Sequence, residues 1–127
     1  SINRKSWNYE DIDKLLSDSK SQNFVIYNNL KKLIEIRKKQ SAFHPNATQF
    51  TFNLGPNFFG IWRLSLDKKQ SIFSVTNVSN VFQYLDLSEL NLIESNEWWD
   101  LISNEIIIDI KAIISLKAYQ TVWITNY

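Results

Sequence analysis

IEIRKKQSAFHPNATQF, residues 34–50, changes its hydrophobic period halfway along. Up to Gln40 the apolar residues recur at three and four positions, the spacing of a helix face. From Thr48 they alternate, with Phe50, Phe52 and Leu54 separated by Thr51 and Asn53, the spacing of a half-buried strand. Between the two stands His44-Pro45. Proline disfavours helical geometry at the residue before it, so the helix has to end near His44. His44 is also the single histidine of the chain, which makes this stretch either a site or a seam between two kinds of structure.

Upstream of the seam, residues 1–46 read as helical. Asn8 is placed to cap a first helix, with Glu10 and Asp11 in the turn where carboxylates suit the helix dipole. Ile12, Leu15 and Leu16 give it a short apolar stripe. Ser17 to Ser21 interrupts the pattern. A longer helix follows, from about Gln22 to Gln40, whose Ile26, Tyr27, Leu30, Leu33 and Ile34 predict one wide buried face. Lys31, Glu35, Lys38 and Lys39 fall on the other side and read as a solvated face, with Glu35 and Lys39 a favourable i,i+4 pair.

Downstream, residues 47–127 read as short strands. Gly55-Pro56-Asn57 turns the chain into a second strand with Trp62, Leu64 and Leu66 on one side. Asp67-Lys68-Lys69 connects to a third strand over Ile72 to Val78, and Ser79-Asn80 to a fourth over Val81 to Leu87. After the link from Ser88 to Asn96 come Trp98 to Ile102, Glu105 to Ile110, Ala112 to Leu116 and Tyr119 to Thr125. Many short strands with turn signals between them predict an antiparallel β-sandwich. The fold class is therefore mainly β, with helices at the amino-terminal end.

Composition narrows the function classes. A net charge of +1 over 127 residues gives no drive toward nucleic acid or an anionic membrane. No apolar run approaches the ~20 residues of a membrane span. The chain has no cysteine, which removes disulfides, thiolate metal sites and thiol catalysis and suits a cytoplasmic location. It opens Ser1-Ile2-Asn3-Arg4 without a starting Met, as a piece excised from a longer protein would.

Each candidate for chemistry has a plainer reading. One histidine with scattered carboxylates is a poor metal site, and His44 beside Pro45 reads as a helix-end cap or a packing residue. No nucleophile-elbow sequence is present. Gly55 and Gly60 are the only glycines, too few for a phosphate cradle. Glu94, Glu97 and Asp100 sit in or beside a turn and read as surface charge. Trp98-Trp99 invites sugar stacking, but neighbours in a strand point to opposite faces. One of the pair is expected in the core and the other over an edge. Asn46-Ala47-Thr48 and Asn77-Val78-Ser79 fit the glycosylation pattern and read as chance matches. The residues alone assign no catalytic group, no metal and no cofactor.

The order of several segments carries more. INRKSWNYEDIDKLL, LKKLIEIRKKQSAFHPNATQF, LGPNFFGIWRLS, SVTNVS, WWDLIS and LKAYQTVWIT follow one another through nearly the whole chain. Together they resemble the carboxy-terminal part of glycoside hydrolase family 13 enzymes of the sucrose phosphorylase and glucosylglycerate phosphorylase type. The AFHPNA segment is more similar to the glucosylglycerate branch than to the sucrose-specific one. The resemblance implies that residues 1–46 close a (β/α)8 barrel with its last helix. Residues 47–127 would be the β domain packed beside it, like the carboxy-terminal domain of α-amylases. It also implies that the nucleophile, the acid/base and the third acidic residue lie on earlier barrel strands, outside this chain. Asn3 and Arg4 match the motif that follows the family's substrate-binding Arg-Asp, so they alone are expected near sugar or phosphate, and only in the intact protein. His44 and Asn46 receive no catalytic role.

The expected function is then that of a non-catalytic carboxy-terminal part of a retaining glucosyl phosphorylase. Its partners are the parent's barrel in cis and, in the intact protein, a sugar substrate. Separated from the barrel, the helices are expected to expose an apolar patch and self-associate. Two other classes compete: a carbohydrate-binding module stacking sugars on Trp98 or Trp123, and a protein-interaction module docking through its helical face.

Overall fold

The computed structural model describes residues 6–92 and 97–126. The chain divides into two compact units, Ser1–Glu35 and Ile36–Tyr127.

The first unit is helical. α1 spans Tyr9–Ser17, capped by Asn8, whose Oδ1 accepts the Glu10 N–H at 3.1 Å. The Ser21 hydroxyl accepts the Phe24 N–H and donates to the Leu15 carbonyl, so one side chain starts the next helix and ties it to α1. That helix, α2, spans Gln22–Lys38. The wide apolar face read from its spacing is not buried within this chain, as expected of the helices apart from a barrel: no residue of α2 is buried. Ile26 is 65% exposed, Leu30 55% and Ile34 44%. The spacing creates the apolar face, but no described residue of the chain covers it.

The second unit contains the eight expected strands in the expected order. They are β1 Thr48–Phe52, β2 Phe58–Leu64, β3 Ser71–Asn77, β4 Gln83–Asp86, β5 Trp98–Asp100, β6 Glu105–Ile107, β7 Ile113–Leu116 and β8 Thr121–Thr125. All pairings are antiparallel. A six-stranded sheet runs β1-β2-β3-β8-β5-β6, and a two-stranded sheet pairs β4 with β7. Strand alternation sends Phe73, Val75, Val122, Ile124 and Trp98 of the large sheet into a core they share with Leu85, Leu87, Leu90, Leu92 and Leu116. Each such side chain contributes about 1.5–3 kcal/mol by leaving water.

Several strands stop earlier than the apolar pattern does, because a side chain bends the backbone. Asp109 accepts the Lys111 N–H on its carboxylate and the Ala112 N–H on its carbonyl, so β6 ends at Ile107 rather than Ile110. Asp100 takes the N–H groups of Ile102 and Ser103, which ends β5. Leu66, expected beside Trp62 and Leu64, is 62% exposed. It falls in the β2–β3 turn, where the Ser65 N–H already bonds the Gln70 carbonyl and Lys68 adopts φ 59°.

Two small features hold the sandwich in register. At Gly60 a Cβ would stand 2.9 Å from the Phe52 ring, so only glycine lets that ring cross β2. Asn77, wholly buried at the end of β3, donates to the carbonyls of Val81, Leu116 and Lys117. It thereby joins the large sheet to the chain entering β4 and leaving β7.

Candidate functional site

The seam read from residues 34–50 is a built structure. After α2 the chain makes one 3-10 turn over Ser41–Phe43, with Ala42 fully buried. Gln70, 2% exposed, reaches this turn from the β2–β3 connection. Its Oε1 accepts the Ala42 N–H at 2.9 Å and the Ser41 hydroxyl at 3.0 Å. Its Nε2 donates to Gln40 Oε1 at 2.6 Å and to Thr125 Oγ1 at 3.5 Å. Arg63 of β2 donates to the carbonyls of Ala42 and His44 and to Gln49 Oε1. Phe43 packs edge-on to Trp123 with centroids 4.9 Å apart, and the Arg37 guanidinium lies 6.0 Å from the Phe43 ring centre.

His44 belongs to this arrangement. It is exposed, its N–H bonds the Ser41 carbonyl, and its Nδ1 accepts the Asn46 N–H at 3.1 Å. The imidazole thus shapes the turn into Pro45. The groove beside it, about 440 Å³, is lined by Arg37, Lys38, Lys39, Gln40, Phe43 and His44. The cations stand at the carboxy-terminal end of α2, where they complement the helix dipole.

The other sequence candidates separate. Asn3, Arg4 and Glu94 lie outside the described residues. Glu97 is exposed. Asp100, expected as surface charge, is corrected: it is 9% exposed and accepts the N–H groups of Ile102, Ser103 and Trp123. A carboxylate buried to serve three backbone donors is a structural anchor between β5 and β8. Trp98 is 1% exposed, while Trp99 is half-buried on the opposite face. Trp123 carries Phe43 against it. Asn77 of the second glycosylation pattern is buried with its amide fully engaged, whereas Asn46 is exposed.

Among the described residues, Asp67 and Asp86 have perturbed acidity. The Ser65 hydroxyl and the Lys69 N–H hold Asp67 below its ordinary 3.8. The Ser88 hydroxyl and N–H do the same to Asp86. Both are turn-forming groups. A cleft in the β unit, about 380 Å³, is lined by aliphatic Ile107, Ile114, Val122 and Ile124 and by the carboxylates Asp100, Glu105 and Asp109. None of its lining residues is a histidine, lysine or arginine that could pair with those carboxylates as acid or base. Among the described residues no three His, Asp or Glu side chains stand together as metal ligands. No described helix is long and apolar enough to cross a membrane.

Sequence reasoning missed Gln70, Arg63 and Asn77. A buried amide has no periodic signature, and the partners of the Gln70 side chain lie 28 to 55 residues away.

No family model matches the chain. Among curated proteins it is 25% identical over 123 residues to the glucosylglycerate phosphorylase of Escherichia coli (strain K12), covering 97% of this chain and 20% of that protein. It is 23% identical over 134 residues to the glucosylglycerate phosphorylase of Spirochaeta thermophila (strain ATCC 700085 / DSM 6578 / Z-1203), covering 99% of this chain and 23% of that one. The chain thus spans about a fifth of the length of these relatives. Among solved structures, an Anoxybacillus α-amylase matches with a TM-score of 0.61 at 17% identity, over 85% of this chain and 23% of that one. That likeness is one of fold: antiparallel sheets preceded by two helices, as in α-amylase carboxy-terminal domains. The order of its segments, these relatives and this fold together relate the chain to the carboxy-terminal part of glycoside hydrolase family 13 enzymes of the glucosylglycerate phosphorylase type.

Proposed function

We propose that the chain is a non-catalytic carboxy-terminal part of a retaining α-glucosyl phosphorylase, and that its β unit braces the last helix of a catalytic barrel. The observation that carries this reading is α2. Its Ile26, Leu30 and Ile34 are spaced for burial yet exposed, in a chain about one-fifth the length of its relatives. A helix with a wide apolar face is stable only where that face is covered, and the rest of such an enzyme would cover it. The cleft chemistry agrees. Phosphorolysis with retention needs a nucleophilic carboxylate and an acid/base carboxylate about 5–5.5 Å apart across a bound sugar. Asp100, one of the carboxylates lining the cleft of the β unit, is committed to three backbone N–H groups.

In the parent, phosphate would take glucose from an α-glucoside, with glucosylglycerate the donor suggested by the names of the relatives. Glucose 1-phosphate would be released through a covalent glucosyl-enzyme. Asn3 and Arg4 would approach the sugar or phosphate only there, and a cytoplasmic setting belongs to the same reading. The test is to supply the chain and the full-length parent with glucosylglycerate and phosphate. Glucose 1-phosphate from the parent and none from the chain supports the proposal; turnover by the chain alone refutes it. Saturable quenching of tryptophan fluorescence by oligosaccharides would instead favour a carbohydrate-binding module. Burial of Trp98 already removes one of its two platforms.

A further inference from the structure

We propose that Gln70 and Arg63 form a latch that makes residues 40–47 a fixed part of the β unit, so that the seam at His44-Pro45 is not a hinge. This rests on contacts inside residues 36–127 and stands or falls independently of the proposed parent activity.

A hinge needs backbone that can rotate without losing partners, and most of this segment's backbone groups are engaged. Each backbone N–H from Ala42 to Ala47 has an acceptor: Gln70 Oε1, the Gln40 and Ser41 carbonyls, His44 Nδ1 and the His44 carbonyl, in order, with Pro45 having no N–H to place. The carbonyls of Ala42 and His44 are held by Arg63. Leaving any of the buried groups unpaired costs its desolvation, so the turn and the latch form together or not at all.

Gln70 is suited to the work by its chemistry. Its amide uses both acceptor positions on Ser41 and Ala42 and both donors on Gln40 and Thr125. It therefore stands in for the backbone partners that a longer helix would have supplied, and connects them to β8. Arg63 adds a planar fork that reaches the Ala42 and His44 carbonyls and Gln49 at once, a geometry lysine cannot reproduce. The Phe43 ring between Arg37 and Trp123 closes the arrangement on the apolar side.

The test is amide hydrogen exchange, followed by NMR on the full 127-residue chain. Ala42, Phe43, His44 and Ala47 are expected to be protected in the unaltered protein. In Gln70→Ala, and separately in Arg63→Met, they should exchange about tenfold or more faster, the effect of losing one buried partner. Val75 and Val122, in the core of the sandwich, should keep their rates. Arg63→Lys should recover only part of the protection. Free exchange of the seam amides in the unaltered chain overturns the proposal, as does their unchanged protection in both variants. Should Gln70→Ala fail to fold, Arg63→Met decides, because among the described residues the guanidinium's hydrogen bonds go to the seam carbonyls and to Gln49.

Discussion

Asp100 shows how one side chain can hold two strands and be mistaken for decoration. It lies in an acidic stretch after a loop, and its charge suggests solvent. In the fold it is nearly buried and receives three backbone N–H groups, including that of Trp123 on the neighbouring strand. Replacing it by alanine orphans those donors and should cost about 2–3 kcal/mol. Asparagine keeps an acceptor oxygen and should cost less. Urea unfolding of the two variants checks the order. Asp67 and Asp86 act differently, through exposed turns. Their pKa values are lower in the folded chain than the ordinary 3.8, so their contribution is complete above that value and fades as pH falls through the lower folded values. A double Asp67→Asn, Asp86→Asn variant should therefore lose stability less steeply than the unaltered chain below pH 3.8, as read by unfolding midpoints across an acid series.

At the scale of elements, the change of period at His44-Pro45 was readable because it rests on local sterics: proline ends helical geometry, and alternating residues fit a sheet edge. The strands downstream were readable for the same reason. Their ends were not, because Asp100 and Asp109 stop apolar runs that periodicity alone would continue. Nor was the latch, since nothing near Gln70 in sequence announces that its partners are residues 40–42 and Thr125. Gly60 lies between these cases. Glycine in a strand signals a close approach, but only the fold says that the Phe52 ring makes it. Gly60→Ala should destabilise the sandwich by about 1–3 kcal/mol. Adding Phe52→Leu should recover part of that loss, and a double-mutant cycle by thermal unfolding measures the coupling.

At the scale of the molecule, the helical unit and the β unit meet different physical demands. The β unit has its own core, two sheets and the Asn77 link between them. α2 has an apolar face without cover among the described residues. The chain alone should therefore associate with itself as concentration rises, and Leu30→Lys together with Ile34→Glu should suppress this, as sedimentation velocity would record. A strict monomer at millimolar concentration would weigh against the role given to that face. The family resemblance was readable from the order of short segments, and the relatives and fold agree with it. The reaction itself was not, because the residues alone point to no catalytic group.

The proposed role, support of glucosyl transfer without its catalysis, can be tested on the protein itself. Its most direct test is the yield of glucose 1-phosphate from glucosylglycerate and phosphate, measured in parallel for the chain and for the full-length parent. Product is expected from the parent and none above background from the chain. Product from the chain, or a parent that forms none from any α-glucoside, would contradict it.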